Sequence, residues 1–232
     1  MLPAPFTAKP ILGVIHLPGL PGSPRWRQAG SPSVADMVGE AVKRTLAFLD
    51  AGFDGLIVEN YGDVPFFKKD VPPETIAALA LLTREVVQHA QRKPVGVNVL
   101  RNDARAALGI AVAAGASFIR VNVHTGAAAT DQGLVEGEAA ATLRARDALG
   151  AQVQIWADVH VKHARPLDSE DVARAAADAA ERGLADVLLV SGAGTGHAPE
   201  EKHIRRAREG AGRVPLLIAS GLRADTCKTL VP

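Results

Sequence analysis

Seven short apolar segments alternate along this chain with segments of helical periodicity. They occupy Ile11–Leu17, Phe53–Asn60, Val95–Leu100, Ala116–Val123, Gln152–Val161, Ala185–Ser191 and Val214–Ser220. These segments are rich in Val and Ile and are bounded by Gly or Pro, as is typical of buried parallel strands. The alternation predicts an α/β fold, and seven successive units favour a TIM (β/α)8-type barrel over a doubly wound sheet.

The segments between the strands carry helix signals. Val34, Val38 and Ala41 recur at helical spacing, as expected for one buried helix face. Ser33 and Asp103 stand at positions that suit N-caps. Glycine occupies the positions just after the predicted helices, where a left-handed backbone is expected; these residues are Gly52, Gly115, Gly150 and Gly183.

Two further observations bear on the barrel. No G-x-G-x-x-G motif follows the first strand, where the loop reads HLPGLPGSP, and this disfavours a dinucleotide-binding sheet. The chain stops at Leu230–Pro232, where an eighth strand would begin. Because seven strands would leave two unpaired edges, we expect one barrel domain over residues 1–232 that lacks its eighth strand and helix.

Composition narrows the class of protein. Of 232 residues, 47% are apolar and 22% are charged, and the net charge of +1 with scattered basic residues disfavours a nucleic-acid partner. The single Cys227 excludes an internal disulfide framework. No apolar window approaches the roughly 18 residues of a membrane helix, and no secretory signal is evident. We expect a cytoplasmic protein and a homo-oligomer, with peripheral membrane association left open.

Polar side chains gather at the C-terminal ends of the predicted strands, where barrels of this class place their active sites. Strict alternation predicts that Asp158, His160 and Lys162 share one face of the fifth strand, with His163 packed on the other. His160 suits a general acid/base near neutral pH. The residues expected to assist it are Asp158, Glu59 and His124. The structural alternative is that Asp158 only hydrogen-bonds to Asn122 or Arg120 across neighbouring strands.

Further strand-end residues are expected to bind substrate: His16, Asn60, Asn98, Arg101, Asn122, Lys162 and Ser191. Carboxylates and imidazoles at several strand ends also make a divalent metal possible, with Glu59, His124, Asp158 and His160 as its ligands. No local spacing such as H-x-x-x-H supports that site, and no cofactor is certain.

The stretch SGAGTG, at residues 191–196, is a glycine-rich loop that leads toward a helix. Its backbone amides could hold a phosphate group, although glycine-rich turns are also common without a ligand. Barrels often bind phosphate with the loops after strands seven and eight. The residues assigned to a phosphorylated ligand are Gly192, Gly194, Gly196, Ser220 and Gly221.

Two segments are predicted to be long loops that cover the site. Leu17–Pro32 contains an exposed Trp26 between two arginines, and Thr125–Glu136 follows the fourth strand. Long loops on a rigid scaffold commonly carry function.

Several stretches together resemble the BtpA/SgcQ family. They read GVIHLPGLPGSP, DGLIVENYGDVPF, GVNVLRND, FIRVNVHTGAAATDQGLVEG, ADVHVKHARPL and SGAGTG, and the likeness spans essentially the whole chain. The resemblance implies a TIM barrel of the ribulose-phosphate-binding type that continues past this chain's end. It implies no single reaction, since the family's name comes from a membrane-associated factor for photosystem I accumulation and other members are labelled nucleosidases or sugar-phosphate enzymes.

Two functional hypotheses follow. The first is an enzyme that acts by acid/base chemistry on a small phosphorylated sugar or nucleoside-like substrate, as an isomerase, aldolase or nucleosidase. The alternative is a non-catalytic assembly or stability factor for a membrane protein of the photosystem I type.

Overall fold

The computed structural model describes residues 9–167, 170–192, 194 and 196–222. The chain divides into two compact units. Of the described residues, the first unit contains 9–120 together with Thr142–Gln154, and the second contains Val121–Ala141 and the described residues between 155 and 222.

The first unit is built on parallel strands in chain order. These are β1 (Leu12–His16), β2 (Gly55–Glu59), β3 (Val95–Asn98) and β4 (Phe118–Val121). The register pairs His16 with Glu59, Glu59 with Asn98, and Asn98 with Arg120. Parallel strands in this register place the four polar residues in one row across the C-terminal ends of the strands.

Helices follow these strands. Their bounds are α1 (Pro24–Gln28), α2 (Val34–Asp50), α3 (Pro73–His89), α4 (Ala104–Ala114) and α5 (Ala139–Ala148). Ser33 forms a capping box with Asp36, and Asp103 accepts a hydrogen bond from the backbone of Ala106, so both predicted N-caps are confirmed. Gly115 ends α4 with a φ of 79°, a left-handed conformation that glycine adopts without steric cost.

The second unit combines parallel and antiparallel strands. The hairpin of β5 (Ala127–Thr130) and β6 (Gly133–Glu136) precedes β7 (Gln154–Val159), and β8 (Ala164–Pro166) pairs antiparallel with β5. The strands β9 (Val187–Val190) and β10 (Leu216–Ile218) run parallel to β7, with β9 between β7 and β10. The helices are α6 (Val172–Ala177), which continues into a π-helical segment at Asp178–Arg182, and α7 (Glu201–Gly210).

All seven predicted parallel strands are present, each shorter than its apolar segment. The prediction of a loop over Thr125–Glu136 is wrong, because this segment contains the β5–β6 hairpin. Its run of alanines carries no strand signal, and β5 is paired on its other side by β8, a contact that no local pattern shows. The segment Leu17–Pro32 contains the short helix α1, whose N-cap is Ser23.

Two predictions about single residues in these segments are also wrong. Trp26 is half-buried rather than exposed, and its indole N–H donates a 3.0 Å hydrogen bond to the carbonyl oxygen of Pro32. Gly183 has a φ of −81°, so it is not a left-handed helix end. Close packing explains this glycine, because a Cβ there would lie 2.7 Å from Thr125 Cγ2 and 3.0 Å from His124 Cδ2. The expected start of an eighth strand at Leu230–Pro232 lies outside the described residues.

Glycine substitutions test the packing of the first unit. Gly96 on β3 pairs with Phe118 on β4, and a Cβ at Gly96 would overlap the Phe118 ring. Overpacking of a buried site costs about 1–3 kcal/mol, so we expect Gly96→Ala to lower the free energy of unfolding by that amount in urea denaturation. Gly109 in α4 is exposed, with no atom within 4 Å of an added Cβ. Gly109→Ala should therefore raise stability by about 0.5–1 kcal/mol, and a Gly96→Ala protein as stable as wild type would contradict this packing.

Candidate active site

Asp158 lies one residue before the end of β7, in a strand positioned by its pairing with β9. The register pairs Asp158 with Leu189 and Val159 with Val190. Asp158 is 7% exposed, and its Oδ2 accepts a 2.7 Å hydrogen bond from Nδ2 of Asn122, which follows β4. This bond matches the structural alternative that the sequence offered for Asp158. The bond is present, and it also fixes the orientation of a carboxylate that faces a cavity.

His160 follows the end of β7 and does not continue its alternation. Its φ of 51° lies in the left-handed region, which is uncommon for residues other than glycine. The predicted common face of Asp158, His160 and Lys162 is therefore wrong, because the strand ends at Val159 and Lys162 lies in a turn. His163 is exposed rather than packed. Unusual backbone conformations such as the positive φ of His160 cluster at functional sites.

A small cavity in the second unit brings these groups together. Its described lining includes Asn122, Asp158, His160 and Asp178, and its volume is about 40 Å³. The remaining wall is mostly small and apolar, with contributions from Val123, Thr125, Ala127, Ala128, Val159, Val161, Ala164, Pro166 and Ala175. Asp178 stands where α6 passes into the π-helical segment, a helix irregularity that is frequent at functional sites.

His124 is held by the backbone of the helix that follows β8. Its side chain is 1% exposed, and Nε2 lies 2.8 Å from the carbonyl oxygen of Gly183. A carbonyl only accepts, so Nε2 carries the proton in this contact. His124 is not among the described residues that line the cavity. Its geometry favours a positioning role rather than direct contact with a substrate.

The loop after β9 packs closely on itself. A Cβ at Gly192 would lie 2.7 Å from the carbonyl oxygen of Ala198, and one at Gly221 would lie 2.6 Å from Ala198 Cα. The amide of Gly196 donates a 3.1 Å hydrogen bond to Ser220 Oγ. These close contacts explain why residues 192 and 221 are glycines without any ligand. Phosphate binding by the loop stays a prediction.

Ser191 and Gly194 complete the described part of this loop. Ser191 directly follows β9, and its Oγ is buried without a hydrogen-bond partner among the described residues. At Gly194, an added Cβ would lie 3.2 Å from Nδ1 of His197. The imidazole of His197 therefore borders the loop, and the sequence did not single out this residue.

The row of polar residues in the first unit centres on Glu59. This carboxylate is 4% exposed, and its Oε2 accepts a 2.9 Å hydrogen bond from Nδ2 of Asn98. Arg120, also buried, lies 3.9 Å from Oε2, and His16 Nε2 lies 3.8 Å from Oε1. The His16 side chain is 41% exposed and stacks on Tyr61 with ring centroids 4.4 Å apart. A buried carboxylate thus connects a buried cation to a solvent-accessible imidazole.

Asn60 and Arg101 form hydrogen bonds with neighbouring loops of the same unit. Asn60 Oδ1 accepts a 2.7 Å hydrogen bond from the backbone of Leu100, and its Nδ2 donates to Asp63 Oδ2 at 3.0 Å. Arg101 is 6% exposed, and its backbone N–H donates to the carbonyl oxygen of Phe67. Asn60 therefore supports the loops at the ends of β2 and β3.

Asp63 anchors the loop that follows β1. Its Oδ1 accepts a 2.7 Å hydrogen bond from the backbone of Leu20. Burial raises the pKa of Asp63, against hydrogen bonds from Leu20, Asn60 and Ser23 that lower it. Sequence reasoning missed this residue, although an acid three positions after a strand-end asparagine is a common turn pattern.

Among the described residues, no three His, Cys, Asp or Glu side chains come together in a way that could hold a metal ion. In the same part of the chain, the helices are too short or too polar to cross a lipid bilayer.

The fold is that of an α/β barrel of the TIM class, as predicted from the sequence. A 2,3-dimethylmalate lyase of the PEP mutase/isocitrate lyase superfamily matches 96% of this chain and 73% of its own, with a TM-score of 0.56 and 13% identity. The YdjI aldolase from Escherichia coli matches 96% of this chain and 70% of its own, with a TM-score of 0.51 and 14% identity. At these identities the likeness concerns the fold alone.

Residues 7–231 match the BtpA family, and the chain belongs to that family. The photosystem I biogenesis protein BtpA of Synechocystis is 44% identical over 97% of this chain and 77% of its own length. A Pyrococcus abyssi protein is 41% identical over 93% of this chain and 80% of its own length. The predicted family resemblance is therefore confirmed.

The pKa of Asp63 predicts a pH dependence of stability. A carboxyl whose pKa is raised by folding favours the folded state below its unfolded pKa of about 3.9, and this contribution is lost as pH rises through the raised value. The quantity to compare is the unfolding free energy of wild type minus that of the Asp63→Asn variant. We expect this difference to fall as pH rises above about 4. Urea denaturation at several pH values measures this difference, and a difference that grows with pH would contradict the prediction.

Removing the charge of Glu59 tests how much its ion pair with Arg120 contributes to stability. Glu59→Gln keeps the side-chain shape but removes the carboxylate that faces the buried Arg120. Breaking a buried ion pair on one side costs about 3 kcal/mol, and urea denaturation should show a loss of that size. Glu40 forms an exposed pair with Arg44, so Glu40→Gln should change stability far less because solvent screens that pair. Equal losses in the two variants would contradict the prediction.

Proposed function

We propose that this protein is an enzyme that acts by acid/base chemistry on a small phosphorylated sugar or nucleoside-like substrate. One observation carries the proposal: a cavity contains a buried carboxylate, fixed by an asparagine, together with an imidazole on an unusual backbone. Burying a carboxylate beside a cavity is costly, and this cost supports a role for Asp158 beyond its hydrogen bond to Asn122.

In this proposal His160 is the general acid/base. Neutral His160 takes a proton from the substrate and returns it to a second atom, so that the residue is unchanged after one cycle. Asp158 lines the same cavity, and a nearby carboxylate favours the protonated imidazole that forms after the first transfer. Asn122 keeps Asp158 in position throughout.

The phosphate group is assigned to the loop after β9. This loop starts beside the end of β7, since Val190 pairs with Val159, and it carries Gly192, Gly194 and Gly196. Backbone amides of such loops bind phosphate oxygens well. The hydrogen bond between Gly196 and Ser220 would then exchange for contacts with the ligand.

In the first unit, His16 and Glu59 are a second acid/base candidate. The imidazole is accessible to solvent, and the carboxylate lies 3.8 Å away.

Proton exchange gives an assay that needs no prior choice of reaction. Wild-type protein is incubated in D2O with a panel of sugar phosphates and nucleosides, and proton NMR follows exchange and product formation. We expect turnover of at least one compound and a loss of about 100-fold or more in His160→Gln, the usual size of a general acid/base contribution.

His89 provides the matched control for this assay. It is exposed on α3 and its Nδ1 lies 2.8 Å from a backbone oxygen, so His89→Gln should retain wild-type turnover. Turnover that survives in His160→Gln would contradict the role of His160 and favour His16 and Glu59 instead. No change in any compound of the panel would contradict the proposal of an enzyme.

The name of the Synechocystis relative supports a second candidate, a role in the biogenesis of a membrane protein complex. Such a role needs a surface rather than a cavity. Under this candidate, His160→Gln would leave complementation of a strain lacking the protein unaffected, whereas the enzymatic proposal predicts that it fails.

A further inference from the structure

The side-chain amide of Asn122 has only one possible orientation beside Asp158. Its Nδ2 donates to Asp158 Oδ2 at 2.7 Å, and the opposite orientation would bring an amide oxygen against an ionised carboxylate that only accepts. Oδ1 of Asn122 therefore points away from Asp158. The residue is 3% exposed, and this oxygen has no hydrogen-bond partner among the described residues.

A buried acceptor without a partner costs about 1–3 kcal/mol, so its position calls for an explanation. Asn122 lines the cavity that also contains Asp158 and His160. The cavity volume of about 40 Å³ exceeds the roughly 10–15 Å³ that is needed to hold one water molecule. A hydroxyl group is of similar size to a water molecule, so the cavity can hold a ligand hydroxyl beside Asn122.

The charge of the cavity selects the same kind of group. Its described lining contains two carboxylates, Asp158 and Asp178, one imidazole, His160, and no lysine or arginine. A phosphate dianion would meet the like charge of Asp158 here and that of Asp178, whose Oδ2 lies 3.9 Å from Arg174 Nε at the edge of the cavity, whereas a hydroxyl would meet acceptors. The small apolar side chains of the wall, such as Ala128 and Val161, suit the C–H groups of a carbohydrate.

We infer that Asn122 and Asp158 form a hydroxyl-recognition subsite, and that Asn122 determines specificity for a polyol over its deoxy analogue. The inference rests on the proposed function and adds the orientation of the substrate: its uncharged hydroxyl-bearing part enters this cavity, and any phosphate binds outside it.

Calorimetric binding tests this subsite with defined probes: ribose 5-phosphate, glycerol 3-phosphate, glucose 6-phosphate, 2-deoxyribose 5-phosphate and inorganic phosphate. We expect at least one polyol phosphate to bind wild type, and Asn122→Ala to weaken it at least tenfold. Inorganic phosphate should bind both proteins within a factor of two. Asn122→Ser, with a smaller change in volume, should show the same pattern if Asn122→Ala does not fold, as judged by circular dichroism.

Thr83 supplies the matched control. It is fully buried in α3, and its Oγ1 also has no partner among the described residues, but it does not line this cavity. Thr83→Val should leave every affinity unchanged. An equal loss in Thr83→Val, an equal loss for inorganic phosphate, or no binding of any polyol phosphate would overturn the inference.

The two proposals fail in different ways. Asn122-dependent binding without proton exchange in D2O would contradict catalysis and support the subsite. Turnover that is unaffected in Asn122→Ala would overturn the subsite and support catalysis.

Discussion

The hydrogen bond from Asn122 to Asp158 is the contact on which the proposed site depends. It joins the end of β7 to the segment after β4 and holds a nearly buried carboxylate against a cavity. The same bond uses the amide Nδ2 of Asn122, so the amide oxygen points away from Asp158. In our proposal this oxygen binds the ligand, and His160, which lies in a left-handed turn after the strand, is the acid/base group.

The register of parallel strands explains why polar groups collect at all. In the first unit it aligns His16, Glu59, Asn98 and Arg120 at the strand ends, where hydrogen bonds and an ion pair satisfy the buried charges. In the second unit it brings the start of the loop after β9 beside the end of β7. In the first unit, the buried carboxylate of Glu59 is satisfied by neighbours in its own row, as is usual for buried polar groups.

The sequence predicted the parts that follow from local pattern. Apolar runs located the seven strands, Ser33 and Asp103 marked helix starts, and alternation along β7 placed Asp158 correctly. It failed where the decisive contact is distant in sequence or where the backbone leaves regular structure. The pairing of β5 with β8 has no local signal, and extending the alternation past Val159 gave the wrong backbone conformation for His160 and Lys162, although His160 does share a cavity with Asp158. The asparagine that fixes Asp158 was only one of two candidates, because a pattern cannot distinguish Asn122 from Arg120 as a partner.

A crystal structure with a bound polyol phosphate would test the central claim most directly. The claim predicts a ligand hydroxyl within hydrogen-bond distance of Asn122 Oδ1, a reacting carbon close to His160, and the phosphate outside the cavity. A phosphate group between Asp158 and Asp178, or a ligand bound away from a cavity that contains only water, would contradict it.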